Sequence, residues 1–469
     1  MPPAIASIIF TIGILGLFYL DRHEDSRVSK ALWIPAVWLF LCSSRPPSLW
    51  FGVRQSLDSS DIYTEGSPFD RNIFIILLLA ALAVLLARSA RVGPMLRKNV
   101  LILLFFLFCG VSILWSAFPF VAFKRFTKAL GDLGMVLIIL SESDPLAALK
   151  RLLTRLGFLI FPLSILFIKY YPHIGRLLDK SWLLEATGVA TQKNELGVDC
   201  MMFGVLFLWM LVSVYREQED PSRRRRLFAY GTIIAMIIWL LNQCNSTTSI
   251  TGLISAGGVM WLASRPSRKP ALVHLLVFVV LGITVTALFF DPGGGMVGAL
   301  GKDPTLTGRK DAWKLLLSWP TNPWVGQGYE SFWLGDRLEQ IRKALNDFPI
   351  NEAHNGYIEV YLNLGWAGIC FIALLLVTAY KRVISGIHRN PETGSLFLGL
   401  FLCTLFFSLT EAAFRLNCIS WIFFLLVTMA TSGVLSWRRG PQTGPAQARA
   451  FAADEKLAYA TQGANLVSH

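Results

Sequence analysis

Residues 72–87 read NIFIILLLAALAVLLA, an apolar run that ends at Arg88. Comparable runs recur from the N-terminal residues to near Gly440, and a helix needs about 20 residues to cross a bilayer. The composition agrees, because 54% of the 469 residues are hydrophobic and only 16% are charged, against about 25% charged in soluble domains. The runs lack the alternating polarity of barrel strands. The sequence therefore predicts an all-α polytopic membrane protein.

Apolar runs bounded by charge predict about 12–13 transmembrane helices. The candidate spans are Ala4–Leu20, Ala31–Cys42, Asn72–Ala87, Val100–Trp115, Lys124–Leu140, Leu152–Ile168, Leu196–Tyr215, Leu227–Leu241, Ile250–Ala263, Leu272–Phe290, Gly356–Tyr380, Leu396–Ser408 and Ile419–Val434. Ala31–Cys42 is short enough to be re-entrant instead. We divide the chain into helices 1–10 (residues 1–290), a large loop with short helices (291–355), helices 11–13 (356–436) and a mostly disordered tail (437–469).

The net charge of +13 is explained by orientation signals, not by nucleic-acid binding. Alternate connections are densely basic, as in Arg88–Lys98 and Arg223–Arg226, and such connections face the cytoplasm. The large loop and the N-terminus then lie on the outer side of the membrane, and the tail lies in the cytoplasm. The opening MPPAIAS has no positive region and does not predict a cleavable signal peptide. The seven cysteines predict no disulfide framework, although a bridge between Cys244 and Cys418 stays open.

Polar residues in and beside the spans gather at the predicted outer face, where each needs a task or a partner. They are Lys124, Arg125, Lys128, Asp132, Lys193, Asn194, Glu195, Asp199, Asn242, Asn245, Ser246–Ser249, His354, Asn355, Glu359, Glu411, Arg415 and Asn417. A transporter places its ligands near the midplane, often in paired repeats, and no repeat is evident. The pattern favours an enzyme that acts on a lipid-linked substrate at the outer interface. A flippase or transporter for lipid-linked glycans, or a non-catalytic scaffold, remains an alternative.

Several outward cations have the chemistry to bind a pyrophosphate. Arg supplies a bidentate fork and Lys a point charge for phosphate oxygens. Arg309 lies just inside a predicted helix from Gly308 to about Trp319 that Thr307 can cap, and a helix N-terminus attracts anions. The alternative for Arg125 and Lys128 is that they snorkel to the interface, and for Arg309 that it is an exposed helix residue. A second amphipathic helix is expected from about Ser331 to Leu345.

His354 lies where the loop re-enters the membrane, in the sequence NEAHNGY (residues 351–357). Imidazole is the usual general base near neutral pH, and Glu352 or Glu359 can orient its ring. The alternative is an interfacial His bonded to loop carbonyls. No outward Asp-x-Asp pair or His/Cys ligand set is present, so neither a metal nor another cofactor is predicted. The loop Gly326-Gln327-Gly328 predicts only a close approach of backbone to another group.

At four motifs the sequence resembles the bacterial O-antigen ligase/polymerase superfamily, which includes exopolysaccharide polymerisation proteins. The motifs are Gly188–Gly197 (GVATQKNELG), Thr307-Gly308-Arg309 through Trp313, Gly326–Phe332 (GQGYESF), and His354–Tyr357 (HNGY) leading into Leu364-Gly365. They lie on one predicted side of the membrane and extend over about Arg125 to Ala430. The segment from Gly328 to His354 looks closer to exopolysaccharide polymerases than to ligases.

The resemblance implies a C-type glycosyltransferase-like fold in the bacterial inner membrane, with its active site facing the periplasm. It implies a donor glycan on undecaprenyl pyrophosphate, metal-independent transfer, and an acceptor that is either a growing glycan or the lipid A core. Carried over by motif, His354 is the expected base. Arg309, Lys193 and, with a looser match, Arg125 are the expected pyrophosphate ligands, and Glu352, Asn355, Tyr357 and Thr307 are expected to support them.

Overall fold

The computed structural model describes residues 1–22, 28–53, 67–178, 184–218, 220–265, 270–289, 306–345 and 350–430. The first part of the chain contains α1 (Pro3–Leu20), α2 (Trp33–Cys42), α3 (Pro47–Trp50), α4 (Pro68–Ala87), α5 (Ser89–Lys98), α6 (Val100–Val111), α7 (Pro119–Leu140), α8 (Pro145–Tyr170) and α9 (Pro172–Gly175). A short antiparallel hairpin follows, with β1 (Arg176–Leu178) paired to β2 (Leu184–Ala186). This hairpin is a small addition to the predicted all-α architecture.

The described residues of the second part of the chain form helices joined by turns. It contains α10 (Lys193–Arg216), α11 (Arg223–Cys244), α12 (Thr247–Ala263), α13 (Pro270–Phe289), α14 (Leu306–Ser318), α15 (Asp336–Ala344), α16 (Gly356–Arg389), α17 (Pro391–Thr410) and α18 (Ile419–Ala430). The predicted tail at 437–469 and the glycine run Gly293–Gly295 lie outside the described residues.

Seven of the described helices are long and apolar enough to cross a membrane: α1, α4, α8, α10, α11, α16 and α17. The pair formed by α5 and the segment Val100–Trp115 passes the same test but is bent by 88°. Shorter apolar helices lie at Lys30–Cys42, Thr247–Ala263, Ala271–Gly282 and Ile419–Ala430. The predicted all-α polytopic membrane fold is confirmed.

Local sequence explains where several of these helices begin. Proline occupies the first turn of α1, α4, α7, α8 and α17, where its missing N–H removes no hydrogen bond. Asp144 caps α8 by accepting a hydrogen bond from the backbone N–H of Ala147 at 3.0 Å. Asn390 caps α17 in the same way through Thr393 at 3.2 Å. Such caps satisfy donors that have no partner inside the helix.

Helices α10 and α17 lie at the centre of the bundle, where most of their apolar residues are buried, whereas α1 and α4 are largely exposed at its periphery. Exposed apolar residues on the peripheral helices fit contact with lipid. No disulfide joins Cys244 and Cys418, so the bridge that the sequence left open is not formed. The Cys418 sulfur instead contacts the Ser420 hydroxyl at 3.0 Å.

The connection between α14 and α16 forms a second, smaller core beside the bundle. Phe332, Trp333 and Leu338 are buried there with Leu316 and Ile341. The helix expected over Ser331–Leu345 is shorter than predicted, because α15 begins only at Asp336. The preceding residues form turns, and Gly335 has a positive φ of 65° that does not continue a helix.

Candidate functional site

The break in α16 explains two of the glycine motifs. Gly365 has a φ of 63° and interrupts the helix. Backbone carbonyls next to this break accept hydrogen bonds from the Gly326–Gly328 loop. The N–H of Gln327 donates to the Leu362 carbonyl at 3.1 Å, and the N–H of Gly328 donates to the Asn363 carbonyl at 2.9 Å. A Cβ on Gly326 would lie 2.4 Å from the Asn363 carbonyl carbon. The predicted close approach of this loop is confirmed.

His354 occupies a tightly constrained turn immediately before α16. Its φ is 46°, a left-handed conformation that is uncommon outside glycine and often marks a functional site. The Asn355 side chain accepts hydrogen bonds from the N–H groups of Tyr357 and Ile358 at 3.0 and 3.1 Å, and its amide donates to the Leu409 carbonyl. Asn355 is therefore the N-cap that fixes the His354 backbone against the end of α17.

Two carboxylates hold the His354 ring through one nitrogen. Nδ1 lies 2.7 Å from Glu411 Oε2 and 3.1 Å from Glu352 Oε1. In the part of the chain that the structure describes, Nε2 makes no hydrogen bond, and 22% of the side chain is exposed. Burial alone would lower the pKa of His354, but the hydrogen bonds and negative charges of Glu352 and Glu411 raise it to about 10. The ring therefore carries a proton on both nitrogens near neutral pH.

Arg415 joins this carboxylate pair to a third acidic residue. Its Nη1 donates to Glu352 Oε2 at 3.0 Å, and its Nε lies 3.7 Å from Glu330 Oε2. Burial alone would raise the pKa of Glu352, but the hydrogen bonds and charges of His354 and Arg415 lower it to about 2. Glu330 is buried and has a φ of 50°. The loop after α17 thus supplies both a carboxylate and a cation to the His354 turn.

Two of the predicted pyrophosphate ligands, Arg125 and Lys193, have different partners in the structure. Arg125 of α7 donates to the backbone carbonyl of Glu330, so it lies beside the Arg415 cluster. Lys193 begins α10 and forms an ion pair with Glu185 of β2. Lys193 is followed directly by Asn194, whose amide donates to Glu411 Oε1 at 2.8 Å. Arg125 is therefore linked to the site through Glu330, whereas Lys193 binds Glu185 and its neighbour Asn194 contacts Glu411.

Arg309 lies in the first turn of α14, a helix that packs directly on the His354 loop. Trp313, four residues later, donates from its indole nitrogen to the Ala353 carbonyl at 2.7 Å. The position of the Arg309 side chain lies outside the described residues. Thr307 was expected to precede the helix as its cap, but α14 begins at Leu306, so Thr307 lies within its first turn.

Glu359 is not the residue that orients His354, in contrast to one of the two alternatives from the sequence. Its carboxylate accepts hydrogen bonds from the Trp333 indole at 2.7 Å and from the backbone N–H of Ala353 at 2.9 Å. It fixes the loop backbone instead. Tyr357 accepts a hydrogen bond from the Ser408 hydroxyl at 3.2 Å and packs edge-on against Phe414, so its contacts support the same turn.

A polar cavity of about 360 Å³ lies beside these groups. Its wall includes Lys128, Asn194, Asp199, Glu352, Glu411 and Arg415. His354 stands behind this wall, between the two glutamates that line it. Glu352, His354 and Glu411 each offer one ligand atom, and these atoms lie within 4.8 Å of one another. Among the described residues, these three side chains are the group that could coordinate a cation.

Sequence reasoning did not connect Glu411, Arg415 or Glu330 to His354. Glu411 and Arg415 are recognisable as polar residues of the predicted outer face, but their partners lie 57 and 63 positions away. Glu330 lies inside the Gly326–Phe332 motif, where it looks like an exposed loop acid. The signal that the sequence did offer was the pair Glu411 and Arg415 in the short connection between the last two apolar runs.

Comparison with known proteins finds two similarities in sequence. The profile of the O-antigen ligase family matches residues 232–373, which include α14 and the His354 turn. The exopolysaccharide production protein ExoQ of Rhizobium meliloti strain 1021 is 26% identical over 307 residues, covering 62% of this chain and 68% of ExoQ. The resemblance to the O-antigen ligase/polymerase superfamily is thereby confirmed. The family indicates a multi-pass membrane protein of ligase or polymerase type with a lipid-linked glycan as substrate.

Proposed function

We propose that this protein is a glycosyltransferase of the bacterial inner membrane that acts on the periplasmic face. It transfers a glycan from an undecaprenyl-pyrophosphate-linked donor to a hydroxyl of an acceptor sugar. The observation that carries the proposal is the His354 ring, held through Nδ1 by Glu411 and Glu352 beside a cavity that also contains Lys128 and Arg415. This combines a base with cations that suit a pyrophosphate.

His354 is the proposed base. Its Nε2, once free of its resting proton, takes the proton of the acceptor hydroxyl while the hydroxyl oxygen bonds to the anomeric carbon. The bond from that carbon to the pyrophosphate oxygen breaks, and the polyprenyl pyrophosphate leaves with the electron pair. Because attack is in line with the departing group, the anomeric centre inverts. Glu411 and Glu352 stabilise the imidazolium that forms, as a carboxylate does in a catalytic triad.

Arg309, Lys193 and Arg125 are the proposed ligands of the departing pyrophosphate. The support is positional: Arg125 lies beside Glu330, Lys193 precedes the Asn194 that holds Glu411, and Arg309 begins the helix that packs on Ala353. Lys193 is bound to Glu185 in the resting site, so a donor pyrophosphate has to replace that carboxylate. Glu352, Asn355 and Tyr357 maintain the turn, and Thr307 belongs to the helix start that presents Arg309.

No metal is assigned to the reaction. The guanidinium of Arg415 and the protonated ring of His354 already place two positive charges among Glu330, Glu352 and Glu411. A divalent ion bound by Glu352, His354 and Glu411 would have to displace the His354 proton. We therefore expect EDTA to leave the transfer rate unchanged, and stimulation by an added divalent ion would contradict this assignment.

Polymerisation is favoured over ligation to the lipid A core. The segment from Gly328 to His354 resembles exopolysaccharide polymerases more than ligases, and the similar protein ExoQ is an exopolysaccharide production protein. On this proposal the acceptor is a growing lipid-linked glycan. The proposed domain organisation then places catalysis between the periplasmic loop at 291–355 and the start of the last helices.

The test is complementation of a strain that lacks the protein, with lipopolysaccharide, free polysaccharide and lipid-linked glycans separated on gels. The His354→Ala variant should lower polymer formation by about 10²- to 10⁴-fold, the usual cost of removing a general base. The control is His173→Ala, since His173 is an exposed histidine that takes no part in the proposed site.

The accumulated lipid distinguishes the alternatives. Single repeat units on the lipid in the outer leaflet indicate a polymerase, and lipid-linked polymer without long-chain lipopolysaccharide indicates a ligase. Accumulation in the cytoplasmic leaflet indicates a flippase. Normal polymer from His354→Ala at matched abundance would overturn the assignment of the base.

A further inference from the structure

Glu411 joins three separate parts of the chain at the His354 ring. It is the first residue after α17, and its backbone N–H donates to the Phe407 carbonyl at 2.8 Å. One carboxylate oxygen lies 2.7 Å from His354 Nδ1, and the other accepts a hydrogen bond from the Asn194 amide at 2.8 Å. Only 6% of Glu411 is exposed. Its carboxylate is therefore fixed from both oxygens by side chains of two other segments.

The two glutamates at His354 are not equivalent. Glu352 lies farther from Nδ1, at 3.1 Å, and its other oxygen binds the guanidinium of Arg415, which offsets its charge. Glu411 lies closer to the ring, and Asn194, which fixes its other oxygen, is neutral. The shorter contact to Nδ1 therefore comes from Glu411, and a hydrogen bond of this kind sets which nitrogen of a histidine is free.

We propose that Glu411 is the positioning residue of His354 and that Asn194 holds Glu411 in place. This inference rests on the proposed function. Glu411 accepts a hydrogen bond from Nδ1–H, so that when the ring gives up its second proton the lone pair forms on Nε2, the nitrogen that contacts neither glutamate. Asn194 keeps the carboxylate in the plane of the ring. The link Asn194–Glu411–His354 ties the start of α10 to the end of α17 and the start of α16.

The test compares Glu411→Gln with wild type in two measurements. The first is the pH profile of transfer by purified protein, with lipid-linked glycan extracted from the deletion strain as the substrate. The second is an NMR titration of labelled histidine, with the His354 signal assigned by its loss in His354→Ala. The charged groups that surround His354 are Glu352 on its own loop, Glu411 and Arg415 after α17, Glu195 on α10 and Glu359 on α16.

The sign of the effect follows from the pKa of about 10 for His354. In wild type the fraction of free base, and with it the rate, rises with pH up to that value. Loss of the Glu411 charge lowers the pKa, so the rising limb and the NMR titration should both move to lower pH by about 1 unit or more, the effect of one nearby charge. On its plateau kcat should fall by about 10²-fold, because the ring is no longer oriented, while KM changes little.

Two further variants complete the series. Glu411→Asp keeps the charge and should restore part of kcat, and Asn194→Ala should lower kcat less than Glu411→Gln does. The control is Glu392→Gln, at the opposite end of α17, where the carboxylate bonds Ser213 far from His354. If Glu411→Gln fails to accumulate, Asn194→Ala carries the same comparison.

Three results would overturn the inference. In Glu411→Gln, the rising limb of the pH–rate profile and the NMR titration of His354 could both stay unchanged. Together with loss of activity in His354→Ala, this would show that His354 acts without Glu411. Equal effects of Glu411→Gln and Glu392→Gln would indicate a purely structural contribution. Full activity of His354→Ala would remove the proposed base itself, and would thereby be distinguished from failure of the positioning residue alone.

Discussion

Two cavities among the described residues differ in size and in chemistry, and the smaller one is lined by charged side chains. The polar cavity measures about 360 Å³ and is lined by the cations and carboxylates near His354. An apolar cavity of about 490 Å³ lies among α10, α11 and α12. Asn242 is the one polar side chain among its described lining residues. In a membrane protein, volume alone therefore does not identify the site, because charged groups within the bundle need a task or a partner.

The two cavities also differ in the backbone conformation of the residues around them. Glu330, His354 and Asn417 have positive φ values, and all three belong to the loops around the polar cavity. The residues that line the apolar cavity are in regular helices. Left-handed non-glycine residues cost free energy and persist where the surrounding structure holds them. Three of the four positive-φ non-glycine residues that the structure describes therefore lie in loops around the polar cavity, which is the pattern expected of a working site, and the fourth, Asn245, ends α11.

The largest difference between the two regions should come from removing Arg415. Arg415→Met leaves Glu330 and Glu352 without the cation that lies 3.7 and 3.0 Å away, and breaking a buried ion pair costs about 3 kcal/mol or more. We expect a lower melting temperature in detergent. We also expect the transfer rate per folded molecule to fall by about 100-fold, because each tenfold change in rate corresponds to about 1.4 kcal/mol of free energy. Activity and thermal unfolding of the same preparation measure the two effects.

Arg88→Met provides the matched control for Arg415→Met. Arg88 forms a 2.7 Å ion pair with the buried Glu142, which follows the opposite end of α7 from Arg125. This variant should be destabilised to a similar extent but retain its activity per folded molecule. If both variants lose activity equally, the Arg415 cluster is a structural feature and not part of the site.

A smaller effect is expected at Arg309. Arg309→Lys keeps the charge but loses the bidentate fork, and one hydrogen bond to a charged group is worth about 1.5 kcal/mol, or about tenfold in rate. Transfer by the purified variant is the measurement. The control is Lys314→Arg on the same helix, where the side chain is 81% exposed. Equal rates for the two variants and wild type would identify Arg309 as an ordinary exposed helix residue.

The helices could be predicted from the sequence because each depends on a local signal. Every apolar run predicted as a span coincides with a helix over its described residues. The close approach of Gly326–Gly328 was also predictable, since glycines mark places where backbones meet. The extent of α15 was not, because Gly335 and the packing of Phe332 and Trp333 in the small core replace the first helical turns that the amphipathic pattern indicates.

The pairing of residues within the site could not be predicted from one sequence. His354 and Glu352 are neighbours in the chain, so their contact was anticipated, whereas Glu411 and Arg415 reach the same turn only through the packing of α16 against α17 and α18. The sequence left Glu352 and Glu359 open as partners of His354 for a related reason. Glu359 lies one helical turn into α16, where its carboxylate faces Trp333 and the Ala353 N–H and not the ring.

The smallest effect is expected from filling the apolar cavity. Gly258 lines the apolar cavity and a Cβ added there meets no atom within 4 Å, so Gly258→Leu adds apolar atoms at the wall of that cavity. Replacing a glycine inside a helix also stabilises the helix by about 0.5–1 kcal/mol. Ala412→Leu puts a similar side chain into the polar cavity, which Ala412 lines beside Glu411. We expect Gly258→Leu to keep transfer within about twofold of wild type and Ala412→Leu to lower it by about tenfold or more, as displacement of a reacting group does. The reverse result at matched abundance would mean that the larger, apolar cavity holds the substrate, and the comparison between the two regions would have to be inverted.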